Sequence, residues 1–348
     1  MTSQYSTGYP PPRISKSSFT VAGIPVTVYG LSDLPPDVTH VAVLWLLHPR
    51  LRSHECMEPI AAYCIHHWND NCKKDDGPKG LIAISFDQRN HGSRLVDNRA
   101  NLAWAQGNKS HAVDMFSIYP PVLPLRPTDG TAMDTSLLMD HIPSYLFPSN
   151  FPCITQNLCL GVSLGGHASW LLLVHEPRIT AAVSVIGCPD YIRLMTDRAR
   201  RSELESYTQG QHKFLGSSDF PNRLIDVVEK WDPVCVLLKP LGRDVGTKLR
   251  ATAVQRPPLR TLLEKHLKGK AVLALSGKED EDVPPDMSEP FINYLNDAMG
   301  KGEGVEEGWW EDPEFLMEDE VFEGVGHAFS EEMVRKAVSF VGEMVVKG

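Results

Sequence analysis

Leu158-Cys159-Leu160-Gly161-Val162-Ser163-Leu164-Gly165-Gly166-His167 decides how this chain is read. Leu158–Val162 is a short apolar run, the pattern of a strand buried on both faces. Helical spacing resumes through Trp170 to Val174. Between them sits G-x-S-x-G, a strand, a sharp turn and a helix with a serine at the bend. Such a turn needs small residues on both sides of the serine. Gly161 and Gly165 let neighbouring backbone approach, and Gly166 adds room. A hydroxyl is a weak nucleophile at its own pKa, so a working serine needs a base, and the base needs an orienting acid.

The rest of the chain repeats the strand–helix alternation. Phe19–Val21 and Ile24–Tyr29 read as an opening hairpin. Val41–Leu47, Leu81–Phe86, Leu158–Val162, Ala181–Ile186 and Ala271–Leu275 read as buried strands, and Phe315–Phe322 as a last one. Helical segments fall near Glu55–Trp68, Thr131–Leu146, Met287–Met299 and Glu331–Val346. Strands alternating with helices predict βαβ units and a mostly parallel sheet. Pro120–Pro127 carries four prolines in eight residues and reads as a loop; 300–313 reads as an exposed loop. The 81 residues 189–269 are too long for one crossover and read as an inserted helical cap. The expected division is a core of 18–188, a cap of 189–269 and a second core part of 270–348.

Two loops downstream of Ser163 carry the remaining chemistry. Gly277-Lys278-Glu279-Asp280-Glu281-Asp282-Val283-Pro284 follows the fifth buried strand, where α/β folds bind ligands. Asp280 is the favoured acid, with Asp282 and Glu279 as rivals. His327 follows Glu323-Gly324-Val325-Gly326, after the last strand and before the final helix. His266 sits at a Lys-rich helix end and reads as a surface residue.

Composition narrows the class. The 348 residues are 42% apolar and 22% charged, which is globular. Lys and Arg number 34 against 44 Asp and Glu, a net charge of -10 that argues against nucleic acid as a partner. Residues 303–320 hold nine acidic residues and no Lys or Arg. Residues 189–269 hold 15 Lys and Arg against 10 Asp and Glu, a local surplus of positive charge that reads first as a solvated helical surface and, as the alternative, as a lure for a substrate bearing a carboxylate or phosphate. No secretory signal and no run of about 18 apolar residues is visible. Cys56, Cys64, Cys72, Cys153, Cys159, Cys188 and Cys235 are odd in number; with three of them in or beside apolar runs they read as reduced and mostly buried. A cytoplasmic protein is expected. The eight-residue spacing of Cys56, Cys64 and Cys72, near His54, His66 and His67, does not match a structural zinc loop, so no metal is expected.

These residues resemble the α/β-hydrolase superfamily, and most of all its capped esterases and prolyl-oligopeptidase-like serine hydrolases, over about Phe19 to Val346. Leu160–His167 is similar to the family's nucleophile elbow. Phe86-Asp87-Gln88-Arg89-Asn90-His91-Gly92-Ser93 resembles its D-x-R-x-H-G-x-S turn, which is mainly structural, so Asp87, Arg89 and His91 stay outside the catalytic set. Gly277-x-x-Asp280-x-x-Val283-Pro284 is similar to its acid loop, which favours Asp280 over Asp282. The resemblance implies a catalytic Ser163, Asp280 and His327. Many relatives carry His-Gly after the first long buried strand; here the segment is His48-Pro49-Arg50-Leu51. Proline has no N–H, so the implied oxyanion donors are the backbones of Arg50 and Leu164. The expected activity is hydrolysis of a small-molecule carboxylic ester or thioester without cofactor. Alternatives are a triad-dependent C–C hydrolase, cyclase or peptidase, or a binding protein of the same fold. The segment before the first strand is too short for the propeller typical of such peptidases.

Overall fold

The computed structural model describes residues 8–71, 79–118, 130–210, 213–241, 251–302, 308–311 and 314–348. Cys72, the proline-rich 120–127 and parts of the acidic 303–320 segment lie outside the described residues. Eight strands form one sheet: β1 (Lys16–Val21), β2 (Ile24–Tyr29), β3 (His40–Leu47), β4 (Lys79–Phe86), β5 (Cys153–Val162), β6 (Ile179–Val185), β7 (Ala271–Gly277) and β8 (Leu316–Phe322). Their order is β1-β2-β4-β3-β5-β6-β7-β8. The first two pairings are antiparallel and the remainder parallel.

The apolar run of β3 has a simple cause. Val41, Val43, Trp45 and Leu47 face one core, and Ala42, Leu44 and Leu46 face another. Helices cover both faces, so the period-2 alternation of a half-exposed strand disappears. One face carries α1 (Glu58–Asn71) and α11 (Glu331–Lys347). The other carries α2 (His111–Ile118), α3 (Thr131–Leu146), α4 (Leu164–His175) and, further along the chain, α10 (Glu289–Met299). Between β6 and β7 the chain forms α5 (Tyr191–Arg201), α6 (Glu205–Thr208), α7 (Asn222–Trp231), α8 (Pro233–Leu237) and α9 (Arg256–Leu267). Leu259, Leu263 and Leu267, at i, i+4 and i+8, are fully buried in the core that also contains α4. Among the described residues no helix is long and apolar enough to cross a membrane.

Three sequence expectations are corrected. Trp309 and Trp310 are buried rather than part of an exposed loop. Two adjacent indoles carry too much apolar area to leave in water; Trp309 packs on Tyr294 with ring centroids 5.8 Å apart, and Trp310 on Phe315 at 5.3 Å. His266 is half-buried, with Nδ1 2.8 Å from the Val174 carbonyl and its ring against His175. Cys153 is exposed, because it is the first residue of β5, ahead of the apolar stretch that enters the sheet. Cys64, Cys159 and Cys188 are buried, and Cys56 and Cys235 half-buried.

Candidate active site

Ser163 is the single residue between β5 and α4. Its backbone takes φ 53° and ψ −108°, outside the regions that L-residues favour, and costs of order 1–3 kcal/mol. The surroundings over-determine this bend. Ser163 N–H donates to the Val185 carbonyl at 2.9 Å, and His167 N–H donates to the Ser163 carbonyl at 3.0 Å. A Cβ on Gly161 would lie 1.9 Å from the Gly165 carbonyl oxygen. A Cβ on Gly165 would lie 2.1 Å from the Leu47 carbonyl oxygen. The two glycines therefore permit backbone-to-backbone contact that no other residue allows.

Because β5, β6, β7 and β8 are parallel neighbours, their C-terminal ends open on one edge. Asp280 follows β7 and His327 follows β8. The two loops are tied together: Glu279 N–H donates to the Val325 carbonyl at 3.0 Å, and Lys278 N–H to the Phe322 carbonyl at 2.9 Å. The structure thus brings three distant residues into one chain of contacts. Ser163 Oγ is 2.9 Å from His327 Nε2, and His327 Nδ1 is 2.8 Å from Asp280 Oδ2. Asp280 Oδ1 accepts from the backbone N–H groups of Asp282 (2.9 Å) and Val283 (2.8 Å). With the carboxylate facing Nδ1, the ring proton sits there and Nε2 accepts from the serine hydroxyl. Asp280 is buried, whereas the rival Asp282 is exposed and only its backbone takes part.

A cavity of about 290 Å³ opens over Ser163 and His327. Arg50 and Leu164 line it, as do His167 and Arg198. Leu164 is the first residue of α4, so its N–H has no intrahelical acceptor. The Arg50 guanidinium turns to the Asn101 carbonyl at 2.5 Å. Leu51 and Ile186 also line the cavity, and both have positive φ (62° and 45°). Backbone strain gathers at this rim, as it does at functional sites. Sequence reading missed Arg198 as an individual site residue; the surplus of positive charge in 189–269 was its only signal.

The Asp87–Ser93 turn makes its own network. Asp87 accepts from the backbone N–H groups of His54 and Ser93, and Arg89 pairs with Asp134 at 2.7 Å. His48 lies beneath it. Gln88 N–H donates to His48 Nε2 at 2.9 Å, and the other ring nitrogen is 2.8 Å from the Pro49 carbonyl. Burial lowers the His48 pKa to about 4, partly opposed by the bond to Pro49. The unfolded chain, with a pKa near 6.5, then takes up a proton that the folded chain refuses. The stability from this residue is full above about pH 6.5 and is lost as pH falls toward about 4. In urea unfolding, the stability gap between wild type and His48→Gln should shrink by about 2 kcal/mol from pH 7 to pH 5. An equal gap at both pH values would show that His48 does not resist protonation.

Solved structures match the fold of this chain. An acylaminoacyl peptidase of Pyrococcus horikoshii aligns with a TM-score of 0.50 at 11% identity, over 97% of this chain and 41% of that one. TT1662 of Thermus thermophilus gives 0.48 at 16% identity, over 97% and 100%. The esterase Pf2001 of Pyrococcus furiosus gives 0.47 at 12% identity, over 96% and 92%. No protein-family model matches the sequence, and no curated protein matches it. The chain has the α/β-hydrolase fold: a mostly parallel eight-stranded sheet flanked by helices.

Proposed function

We propose that the chain is a serine hydrolase that cleaves a carboxylic ester or thioester through an acyl-enzyme on Ser163. The reading rests on one observation, the unbroken contact chain from Ser163 Oγ through His327 to Asp280 at 2.9 and 2.8 Å. His327 Nε2 removes the serine proton as Oγ attacks the carbonyl carbon. The backbone N–H groups of Leu164 and Arg50 hold the oxyanion, where one such donor contributes on the order of 3 kcal/mol. Asp280 fixes the ring tautomer and stabilises the imidazolium. The tetrahedral intermediate collapses, and His327 returns the proton to the departing alcohol or thiol. Water, deprotonated by His327, then attacks the acyl-enzyme. The acid leaves and Ser163 recovers its proton. The division into a core of 18–188 and 270–348 with a cap of 189–269 belongs to the same proposal, α5 being the cap helix that reaches the cavity.

A fluorophosphonate probe tests this directly. It should label wild type covalently and leave Ser163→Ala unlabelled. No labelling of wild type, or equal labelling of the variant, overturns the reading. Turnover of 4-nitrophenyl acetate separates an enzyme from a binding protein that kept the pocket.

A further inference from the structure

Four arginines stand on α5, and three of them have carboxylate partners. Arg193 pairs with Asp190 at 3.4 Å; Arg200 and Arg201 both pair with Asp197 at 2.7 Å. Arg198 differs. It is half-buried and lines the cavity with Ser163 and His327. Its Nε and Nη2 donate to the Asp282 carbonyl at 3.2 and 2.9 Å, and its Nη1 lies 3.3 Å from His111 Nε2. Both acceptors are neutral. His111 Nδ1 is 2.9 Å from the Leu102 carbonyl and carries the ring proton there, leaving Nε2 to accept. Burial and the neighbouring charges of Arg198 and Arg50 hold His111 down to about 3, so the ring stays uncharged.

Among the described residues, no carboxylate oxygen lies within 4.0 Å of the Arg198 guanidinium. A guanidinium has five N–H donors, and these three contacts leave two. The side chain is also fixed in place, because Arg198 and Arg201 bind the consecutive backbone carbonyls of Asp282 and Glu281 in the acid loop. Among the described residues the guanidinium touches only neutral acceptors, and an anion entering the cavity, which Arg50 and the exposed Asp282 also line, would take up the donors left over. The cavity, about 290 Å³, admits a small molecule.

We propose that Arg198 selects the substrate: the pocket takes a short ester bearing a free carboxylate, which the guanidinium binds while Ser163 faces the ester carbonyl. This rests on the hydrolase reading above for the reaction, and on Arg198 alone for the selection. The contacts of Arg198 with the acid loop bear on every ester alike, so the selection is read as the ratio of anionic to neutral turnover.

Matched substrate pairs test the selection. On the acyl side, mono(4-nitrophenyl) glutarate is set against 4-nitrophenyl valerate. On the alcohol side, 4-acetoxybenzoate is set against phenyl acetate. Wild type should favour the anionic member of at least one pair in kcat/KM. Arg198→Gln should lower that preference, the ratio of anionic to neutral kcat/KM, roughly ten- to hundredfold, the range for a lost charge-assisted hydrogen bond. Arg198→Lys should retain part of the preference, because it keeps the charge and loses the planar fork. A wild-type preference for the neutral member of both pairs, or an undiminished anionic preference in Arg198→Gln, overturns the proposal. Thermal unfolding with glutarate reads the anion site without turnover. The melting temperature should rise for wild type and Ser163→Ala and not for Arg198→Gln. Absent or equal shifts in all three overturn the anion site. A shift that depends on Arg198 in a protein the probe does not label would sink the hydrolase reading and leave the anion site standing.

Discussion

Ser163→Ala is expected to reduce ester hydrolysis by roughly 10³- to 10⁶-fold in kcat, with its melting temperature close to that of wild type. The loss is large because, in the proposed mechanism, His327 and Asp280 act only through the serine oxygen. Without Oγ, the base has no proton to take and no acyl-enzyme forms. What survives is substrate binding and the oxyanion donors, which polarise the carbonyl for a stray water. The fold should not suffer. Alanine keeps the Cβ of serine, so it meets the same φ of 53°, and the Ser163 N–H bond to Val185 belongs to the backbone. Initial rates on 4-nitrophenyl esters and a thermal melt on the same sample check both halves. A variant keeping more than a tenth of the wild-type rate would place the nucleophile elsewhere.

Gly165→Ala should do the converse, damaging the fold and through it the site. The added Cβ would stand 2.1 Å from the Leu47 carbonyl oxygen and 2.6 Å from its carbon. Both are backbone atoms of a central strand, and neither can step aside as a side-chain tip would. Either α4 lifts off β3 or the turn at Ser163 opens; each breaks close packing, at a cost on the order of 3 kcal/mol or more. Gly269→Ala is the control, since nothing lies within 4 Å of its added Cβ. Its φ of 71° alone predicts a penalty near 1–2 kcal/mol. Melting temperatures of the two variants, with probe labelling of each, decide the matter. Gly165→Ala melting with wild type and labelling normally would show that the strand and helix do not need this contact.

The strands were legible because their cause is local. β3 and β4 read as apolar runs since both faces of a parallel sheet are covered, and the bend at Ser163 is written in two glycines four residues apart. The limits of that legibility are as instructive. β5 begins at Cys153, five residues before the apolar run, because its first residues are less covered than the rest of the strand and polar side chains serve there. α2 carries the His111 that holds Arg198, and no motif marked it. Trp309 and Trp310 looked like loop residues beside so many acids, yet rings from β8's approach and α10 enclose them.

The succession of core strands, the strand–turn–helix around Ser163 and the candidacy of Asp280 and His327 were all readable along the chain. Each depends on hydrophobic period and turn chemistry within about ten residues of chain. Which candidates meet is a matter of how the sheet is assembled. Ser163 and His327 are 164 residues apart, and His327 and Asp280 47. Their contact depends on β5, β6, β7 and β8 lying side by side with their ends together. Arg198 depends on tertiary structure still more. Its three neighbours on α5 pair with carboxylates three or four residues away, a spacing already present in the chain, whereas the contacts of Arg198 with Asp282 and His111, and its place on the cavity, come from packing. Charge counted along the chain reports how much there is; desolvation and distance, set by packing, report which charge is left to act.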